Sequence, residues 1–366
     1  MRQKADFRRI TLLIIAAQII FMTACGTAVS YSEDIQTTIF TDSSGRKVEI
    51  PTDITRVAPS GSVATMILAT ICPEYMVSVS STPSSSQYKY LPERLLDLPT
   101  TGQLYGSRST INLESLLKAS PQIIIDLGDR KDNIASDMNT MQRTIGIATV
   151  FIEADLPNLA SAYRTLGEIL GLSERAETLA SFIDETMEMA ETNRSQIAEN
   201  ERKSVMYTSG PTGLNTNAYG SVQAQVFEII GAVNAIVVDD VSNAGGGNII
   251  DLEQLYNFDP EVILFAGSSI YDIVDGMPAW TELYAIRNNT YYEIPELPYN
   301  WMASPPSINM ILGIWWSGNL LYPQYYDYDV ADIVKQIYSL FWDYELTDTE
   351  IQSMLQNSTM KAHNYG

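Results

Sequence analysis

The chain has 366 residues, of which 45% are hydrophobic and 18% charged, and its formal net charge is −22. That length accommodates two domains of ordinary size, and the composition is globular rather than disordered. So acidic a balance excludes a typical nucleic-acid binder, which carries a basic face, and its commonest effect is solubility.

Arg2, Lys4, Arg8 and Arg9 precede an apolar run over residues 10–22, followed by Thr23, Ala24, Cys25 and Gly26. A basic start, a short apolar centre and small residues at the break predict a secretory signal peptide. The run is shorter than the ~20 residues that span a bilayer. Ending at a cysteine, it resembles a bacterial lipoprotein signal, although Met22 stands where that pattern usually has leucine. The resemblance implies removal of residues 1–24, a lipid on Cys25, and an extracytoplasmic protein anchored to the cell membrane. An ordinary secreted chain or an uncleaved anchored one is the alternative. Cys72 is the only other cysteine, so a lipidated Cys25 leaves no disulfide within the chain; Cys72 reads as a small buried hydrophobe.

Residues 25–36 are small and polar, as a tether would be. "TIFTDSSGRKVEIP" predicts a hairpin, and "RVAPSGSVATMILATIC" a strand, a small-residue turn and a helix. "YMVSVS", residues 122–127 and "TIGIATVFIE" read as further strands, with a short helix over 112–119 that stops before Pro121. From 155 to 200 the pattern becomes helical, and the run beginning at Ser173 predicts one helix of ~25 residues. The first pattern then restarts. "KSVMYTSG" and "NAIVVDD" predict strands around the helix "SVQAQVFEIIGA", "TYYEIP" another strand, and "PSINMILGIWWSGNLLY" a closing helix carrying Trp315 and Trp316 on its apolar side. The expected fold is α/β: two doubly wound parallel-sheet lobes joined by one long rigid helix. Its expected boundaries are 37–154 for the first lobe, 155–200 for the linking helical region and 201–366 for the second lobe.

Two stretches repeat at a spacing of 139 residues: "NLESLLKASPQIII" from Asn112 and "DLEQLYNFDPEVIL" from Asp251. Leu113 matches Leu252, Glu114 matches Glu253, Leu116 matches Leu255 and Pro121 matches Pro260. Each lobe therefore contains an equivalent helix-Pro-strand unit with a glutamate in its first turn. Taken alone, each glutamate is an ordinary helix-start carboxylate favoured by the helix dipole.

These segments, with "APSGSVATMILA", "NAYGSVQAQVFEIIGAVN" and "PYNWMASPPSINMILG", resemble in their order the class III solute-binding proteins of bacterial ABC importers, which capture iron–siderophore complexes, haem or cobalamin. The likeness runs from about Phe40 to the end. It implies that Glu114 and Glu253 dock into arginines of a membrane permease, which works with its own ATPase. It also implies that the long helix limits closure on ligand.

Loops after the strands should build the ligand cleft. From the first lobe the candidates are Ser60, Gly61 and Ser62 at a helix start, then Tyr88, Tyr90, Tyr105 and Arg108. From the second they are Asn215, Asn217, Tyr219, Tyr299, Asn300, Trp301 and Ser304. Aromatic and amide groups on loops suit a bulky, partly apolar ligand with a few polar handles.

Catalysis finds little support. His363 is the only histidine, so neither a Ser-His-Asp triad nor a zinc cluster can be assembled. There is no phosphate loop, and "NAGGGN" fits no dinucleotide fingerprint. A carboxylate-dependent hydrolase is the distant alternative. No cofactor or bound metal is expected. The ligand is expected to be a ferric siderophore, haem or cobalamin, with molybdate or tungstate, held by donors such as Ser62 and Ser304, second.

Overall fold

The computed structural model describes residues 36–104, 109–243, 246–302 and 305–359. The expected signal peptide, Cys25, nearly all of the tether, Tyr105, Arg108, Ser304 and His363 lie outside the described residues. From Thr37 the chain forms one compact unit.

Strands β1 (Thr37–Thr41) and β2 (Lys47–Pro51) pair antiparallel as the expected hairpin. Asp42 organises its turn by accepting the N–H groups of Ser44 and Arg46 and pairing with the Arg46 guanidinium at 2.9 Å. The first lobe continues with β3 (Val57–Pro59), α1 (Ser62–Ile71), α2 (Leu113–Ala119), β4 (Ile123–Gly128), α3 (Ile134–Ile145) and β5 (Ala148–Glu153). Its sheet is parallel, in the order β3-β4-β5. "YMVSVS" contributes only isolated bridges, Val57 to Met76 and Val79 to Thr100, rather than a strand. Its neighbour β3 is three residues long and ends in Pro59, which has no N–H for a ladder.

The linking region holds α4 (Leu159–Leu170) and α5 (Ser173–Gln196), the latter of 24 residues, about 36 Å long. The two pack closely because α4 presents Gly167; a Cβ there would lie 2.4 Å from that of Ala176.

The second lobe contains β6 (Ser204–Ser209), β7 (Asn215–Thr216), α6 (Gln225–Ile230), β8 (Val233–Asn234), β9 (Asn248–Ile249), α7 (Leu252–Phe258) and β10 (Val262–Phe265). Two one-turn helices, α8 (Pro278–Thr281) and α9 (Tyr284–Arg287), lead to β11 (Tyr291–Glu293), and α10 (Asn309–Leu321), α11 (Val330–Trp342) and α12 (Asp348–Leu355) close the described chain. The sheet order is β11-β10-β6-β7-β9, with β8 beside β6. β11, β10, β6 and β8 run parallel, whereas β7 and β9 make an antiparallel edge, so this lobe is mixed rather than wholly parallel. "NAIVVDD" yields only the start of a strand. The Asn234 side chain donates to the Asn217 carbonyl and accepts the Ile236 N–H, diverting the backbone from further pairing.

One hydrophobic core runs through both lobes. It includes Ile67, Ile125 and Val150 from the first, Phe182 from the spine, and Leu264, Trp301 and Ile311 from the second. The C-terminal helices lie across that boundary instead of belonging to the second lobe alone. Tyr90 is wedged edge-on between Tyr338 and Tyr344, and Phe341 meets both Tyr163 and Phe182.

Glu350 fastens this strap. Its carboxylate caps α12 through the N–H and hydroxyl of Thr347, accepts the Tyr344 hydroxyl at 2.7 Å and pairs with Lys89 at 2.5 Å. Burial pushes its pKa up, but Lys89 and the Thr347 donors outweigh that and hold it down at about 2, against an ordinary 4.5. Because the folded value is the lower one, this contribution is complete above pH 4.5 and is lost as pH falls toward 2. In denaturant titrations across that window, Glu350→Gln should therefore show a flatter pH dependence than the unsubstituted chain, starting from lower stability at pH 7. Equal slopes would remove Glu350 from the strap.

Candidate ligand-binding cleft

Parallel strands place their following loops on one side of the sheet, and β3, β4 and β5 use that side for polar groups. Ser60 leaves β3 with its N–H donated to the Ile125 carbonyl, 3.0 Å away, and its hydroxyl donated to the Asp126 carboxylate in a short bond. Gly61 and Ser62 then open α1, whose first N–H groups have no carbonyl within the helix to bond. Asp126 is a buried acid inside a strand of isoleucines, and Gly128, at φ +146°, ends that strand in a conformation that L side chains rarely adopt.

These turns surround a cavity of about 110 Å³. Ser60, Gly61, Ser62, Gln103, Asp126, Asp129 and Lys131 line it, and Pro306 reaches in from the second lobe. Burial raises the pKa of Asp129; the neighbouring charges of Asp155 and Glu153 raise it further, and Lys131 opposes them. Arg130 points elsewhere, to Glu153 at 3.8 Å and the Ser43 carbonyl. The cavity thus offers hydroxyl, amide and backbone donors together with carboxylate acceptors, a surface for hydrogen bonding a polar ligand.

Of the residues expected from sequence, Ser60, Gly61 and Ser62 line this cavity. Tyr88 is exposed on a loop whose Gln87 donates to the Pro298 carbonyl across the lobe boundary. Tyr219 is exposed too, Asn215 lies within β7, and Asn217 is buried, its backbone accepting from Asn234. Three expectations need correction. Tyr90 is buried in the aromatic strap described above. Trp301 has no exposed surface; its indole N–H donates to the Leu297 carbonyl at 2.8 Å and its ring meets Trp316 edge-on. Asn300 is buried as well, bonding the Met302 N–H and Glu296 and accepting Asn309 at its carbonyl. Tyr299 is half-buried against the same core, which pushes its phenol up to about 12. "PYNW" is therefore a packing knot rather than a cleft wall. At the two ends of the glycine-rich stretch, Asn243 bonds Val222 and Gln223, and Asn248 bonds Ser242 and Asp240.

Gln103, Asp126, Asp129, Lys131 and Pro306 did not emerge from the sequence. The signal for the two aspartates was present in "IIIDLGD", where acids break an apolar strand at the end that faces ligands.

The repeated units superimpose in chemistry as well as in register. Asn112 and Asp251 cap α2 and α7, accepting the N–H groups of Ser115 and Gln254. Ser120 and Asp259 end them in the left-handed conformation, at φ 49° and 34°. Leu116 and Leu255 are fully buried. Glu114 and Glu253 are exposed and make no ion pair among the described residues. Beside them stand exposed apolar side chains at matched positions, Leu113 and Leu117 in one unit and Leu252 and Tyr256 in the other.

Two α/β lobes on a shared core, with a polar cavity at strand ends that the opposite lobe helps to close, define a bilobal solute-binding protein. The family described as periplasmic binding protein matches residues 57–297, and the chain belongs to it. It is a solute-binding protein of the ABC-transporter type, from a family that works outside the cytoplasm. The chain is similar to an ABC transporter solute-binding protein of Sulfurospirillum deleyianum, with 28% identity, a TM-score of 0.79, and coverage of 87% of this chain and 99% of that one. It shares its fold with the molybdate periplasmic binding protein of Haemophilus influenzae, at 20% identity and TM-score 0.70, covering 85% and 99% of the two chains. An Fe(3+)-citrate-binding protein of Bacillus subtilis is 22% identical over 193 residues, 51% of this chain; the match spans 58% of that relative's length.

Proposed function

We propose that this protein captures a metal chelate of low net negative charge in the cleft between its lobes and delivers it to an ABC permease. A lipid on Cys25 would hold it at the membrane, and Glu114 and Glu253 would dock it. The observation that carries the ligand assignment is the character of the cavity. Its described charged groups are Asp126 and Asp129 against Lys131, so a strongly anionic ligand would meet carboxylates, whereas a chelate presenting hydroxyl, amine or coordinated-water donors would satisfy them. The similarity to a protein named for binding Fe(3+)-citrate supports ferric iron as the chelated metal, though not the charge of the chelator.

A second reading, a small oxyanion such as molybdate, draws on the start of α1, where Gly61, Ser62 and Val63 line the cavity at the positive end of the helix dipole. Isothermal titration separates the two. The ligand-free chain should bind one of a panel of ferric siderophores, haem or cobalamin at micromolar affinity or tighter and should ignore molybdate and tungstate. Saturable binding of an oxyanion alone would replace the chelate with the second reading.

A further inference from the structure

A groove that shares no lining residue with the ligand cavity opens between α10, the start of α11 and the end of α12. Its volume of about 480 Å³ gives room for several side chains. The walls are mainly apolar, with Trp316, Leu320, Tyr328, Val330 and Leu355 facing one another. Helices pack with few voids larger than a water molecule, so an apolar recess of this size between three of them calls for an occupant.

The chain itself is led to that groove. The Glu293 N–H donates to the Asn357 carbonyl at 3.0 Å, the Asn357 amide to the Glu293 carboxylate at 2.7 Å, and the Ser358 hydroxyl to the Glu293 carbonyl at 2.5 Å. The Ser358 carbonyl in turn accepts the Trp316 indole N–H at 2.8 Å. Ser358 and Thr359, the last described residue, both line the groove, so the chain is clamped to β11 and released at its mouth. Met360, Lys361, Ala362 and His363 come next. In an extended run alternate side chains share a face, which sets Met360 and Ala362 on one side and Lys361 and His363 on the other. Three such residues reach about 10 Å. At the rim, Asp329 gives one carboxylate oxygen to the N–H groups of Ala331 and Asp332, and neither aspartate has an ion pair among the described residues. A lysine suits that rim as the methionine suits the walls.

We propose that residues 360–366 fold back along this groove, with Met360 and Ala362 against its apolar walls and Lys361 at the Asp329 rim, and so lock the end of α12 onto α10 and α11. A segment tethered at the mouth of its own site acts at a millimolar effective concentration, which a free apolar ligand or a second copy of the chain would have to overcome. The assignment stands independently of which ligand occupies the cavity between the lobes.

The test compares thermal unfolding of the full chain with that of a chain ending at Thr359. Removing the segment should lower Tm by roughly 2–4 °C, the effect of exposing one methionine-sized apolar group in a chain of this length. Met360→Asp in the full chain should reproduce most of that fall. Placement is read separately, by photolysis of the full chain carrying p-benzoylphenylalanine in place of Ala362. The expected product is a crosslink within one chain to residues 323–331 or to α10, mapped by mass spectrometry. An unchanged Tm in both the truncated chain and Met360→Asp would overturn the proposal. Crosslinks that miss the groove would overturn it too, and a product of twice the mass would give the groove to a second copy instead.

Discussion

Replacing Glu114 and Glu253 together by glutamine is expected to abolish uptake while leaving ligand affinity unchanged. Both carboxylates are exposed in the first turns of short capped helices, and neither lines the described cavity, so ligand binding does not sense them. The helix-dipole interaction each would lose is ~0.3–1 kcal/mol, small beside the stability of a domain this size. Docking is another matter. A hydrogen bond to a charged partner contributes about 1.5–3 kcal/mol, so the two proposed docking contacts would supply roughly 3–6 kcal/mol, on the order of 10² to 10⁴ in affinity. Either substitution alone should weaken docking by about one to two decades. The exposed Leu113, Leu117, Leu252 and Tyr256 give each carboxylate an apolar surround that can exclude water from the contact. Transport of the identified ligand in cells, measured beside isothermal titration of the purified variants, checks both halves. A double variant that transports normally, or one that loses ligand affinity, would end the docking assignment.

The equivalence of those glutamates was legible because a repeat carries its own control. Two helix-Pro-strand units in the same register fix the caps, the buried leucine and the exposed first turn together, and nothing distant in the chain has to be known. The hairpin, the central strands and the long helix were legible for a similar reason, since local periodicity and turn residues determine them. Elements whose pairing depends on a partner were not. "YMVSVS" has the composition of a strand, but its neighbour β3 is too short to hold one. "NAIVVDD" has it too, yet Asn234 turns its own amide to Asn217. The placement of α11 and α12 across both lobes was likewise invisible, because Tyr90 and Tyr338 are far apart in the sequence and meet only in the fold.

The site was less legible than the fold. Loop position and residue type pointed to Ser60, Gly61 and Ser62, which line the described cavity, because a strand, a small-residue turn and a helix start follow a general rule of α/β sheets. Tyr90 and Trp301 misled because tyrosine and tryptophan serve equally as ligand surface and as large core residues with a polar handle. What separates the two uses is whether the handle finds a protein partner, and that depends on contacts such as Tyr338 to the Leu297 carbonyl. Asp126 and Asp129 were overlooked for the opposite reason: in so acidic a chain, single aspartates carry little information until burial singles them out.

Trp301→Ala is expected to destabilise the protein by about 3–5 kcal/mol, the usual range for deleting a fully buried tryptophan. Several contacts converge on this residue. Its indole N–H and the Tyr338 hydroxyl share the Leu297 carbonyl, so α11 and the "PYNW" knot are fastened at one atom. Its own carbonyl lies so close to α10 that a Cβ at Gly313 would stand 2.2 Å from it, which leaves the backbone no slack to collapse into the hole. Trp316, packed edge-on against it at 6.4 Å, would face the vacated space and has its own indole N–H committed to the Ser358 carbonyl. The cavity therefore persists, and the loss should fall toward the upper end of the range. Trp301→Phe fills most of the volume but cannot donate, so it should lose less, about 1–3 kcal/mol for the packing deficit and one lost hydrogen bond, the Leu297 carbonyl keeping the Tyr338 hydroxyl. Chemical denaturation of the three proteins measures these differences, and titration of the folded variants measures affinity. If Trp301 is a packing residue, affinity per folded molecule stays level while stability falls in the order Trp, Phe, Ala. A phenylalanine variant of full stability whose affinity has collapsed would return Trp301 to the cleft wall.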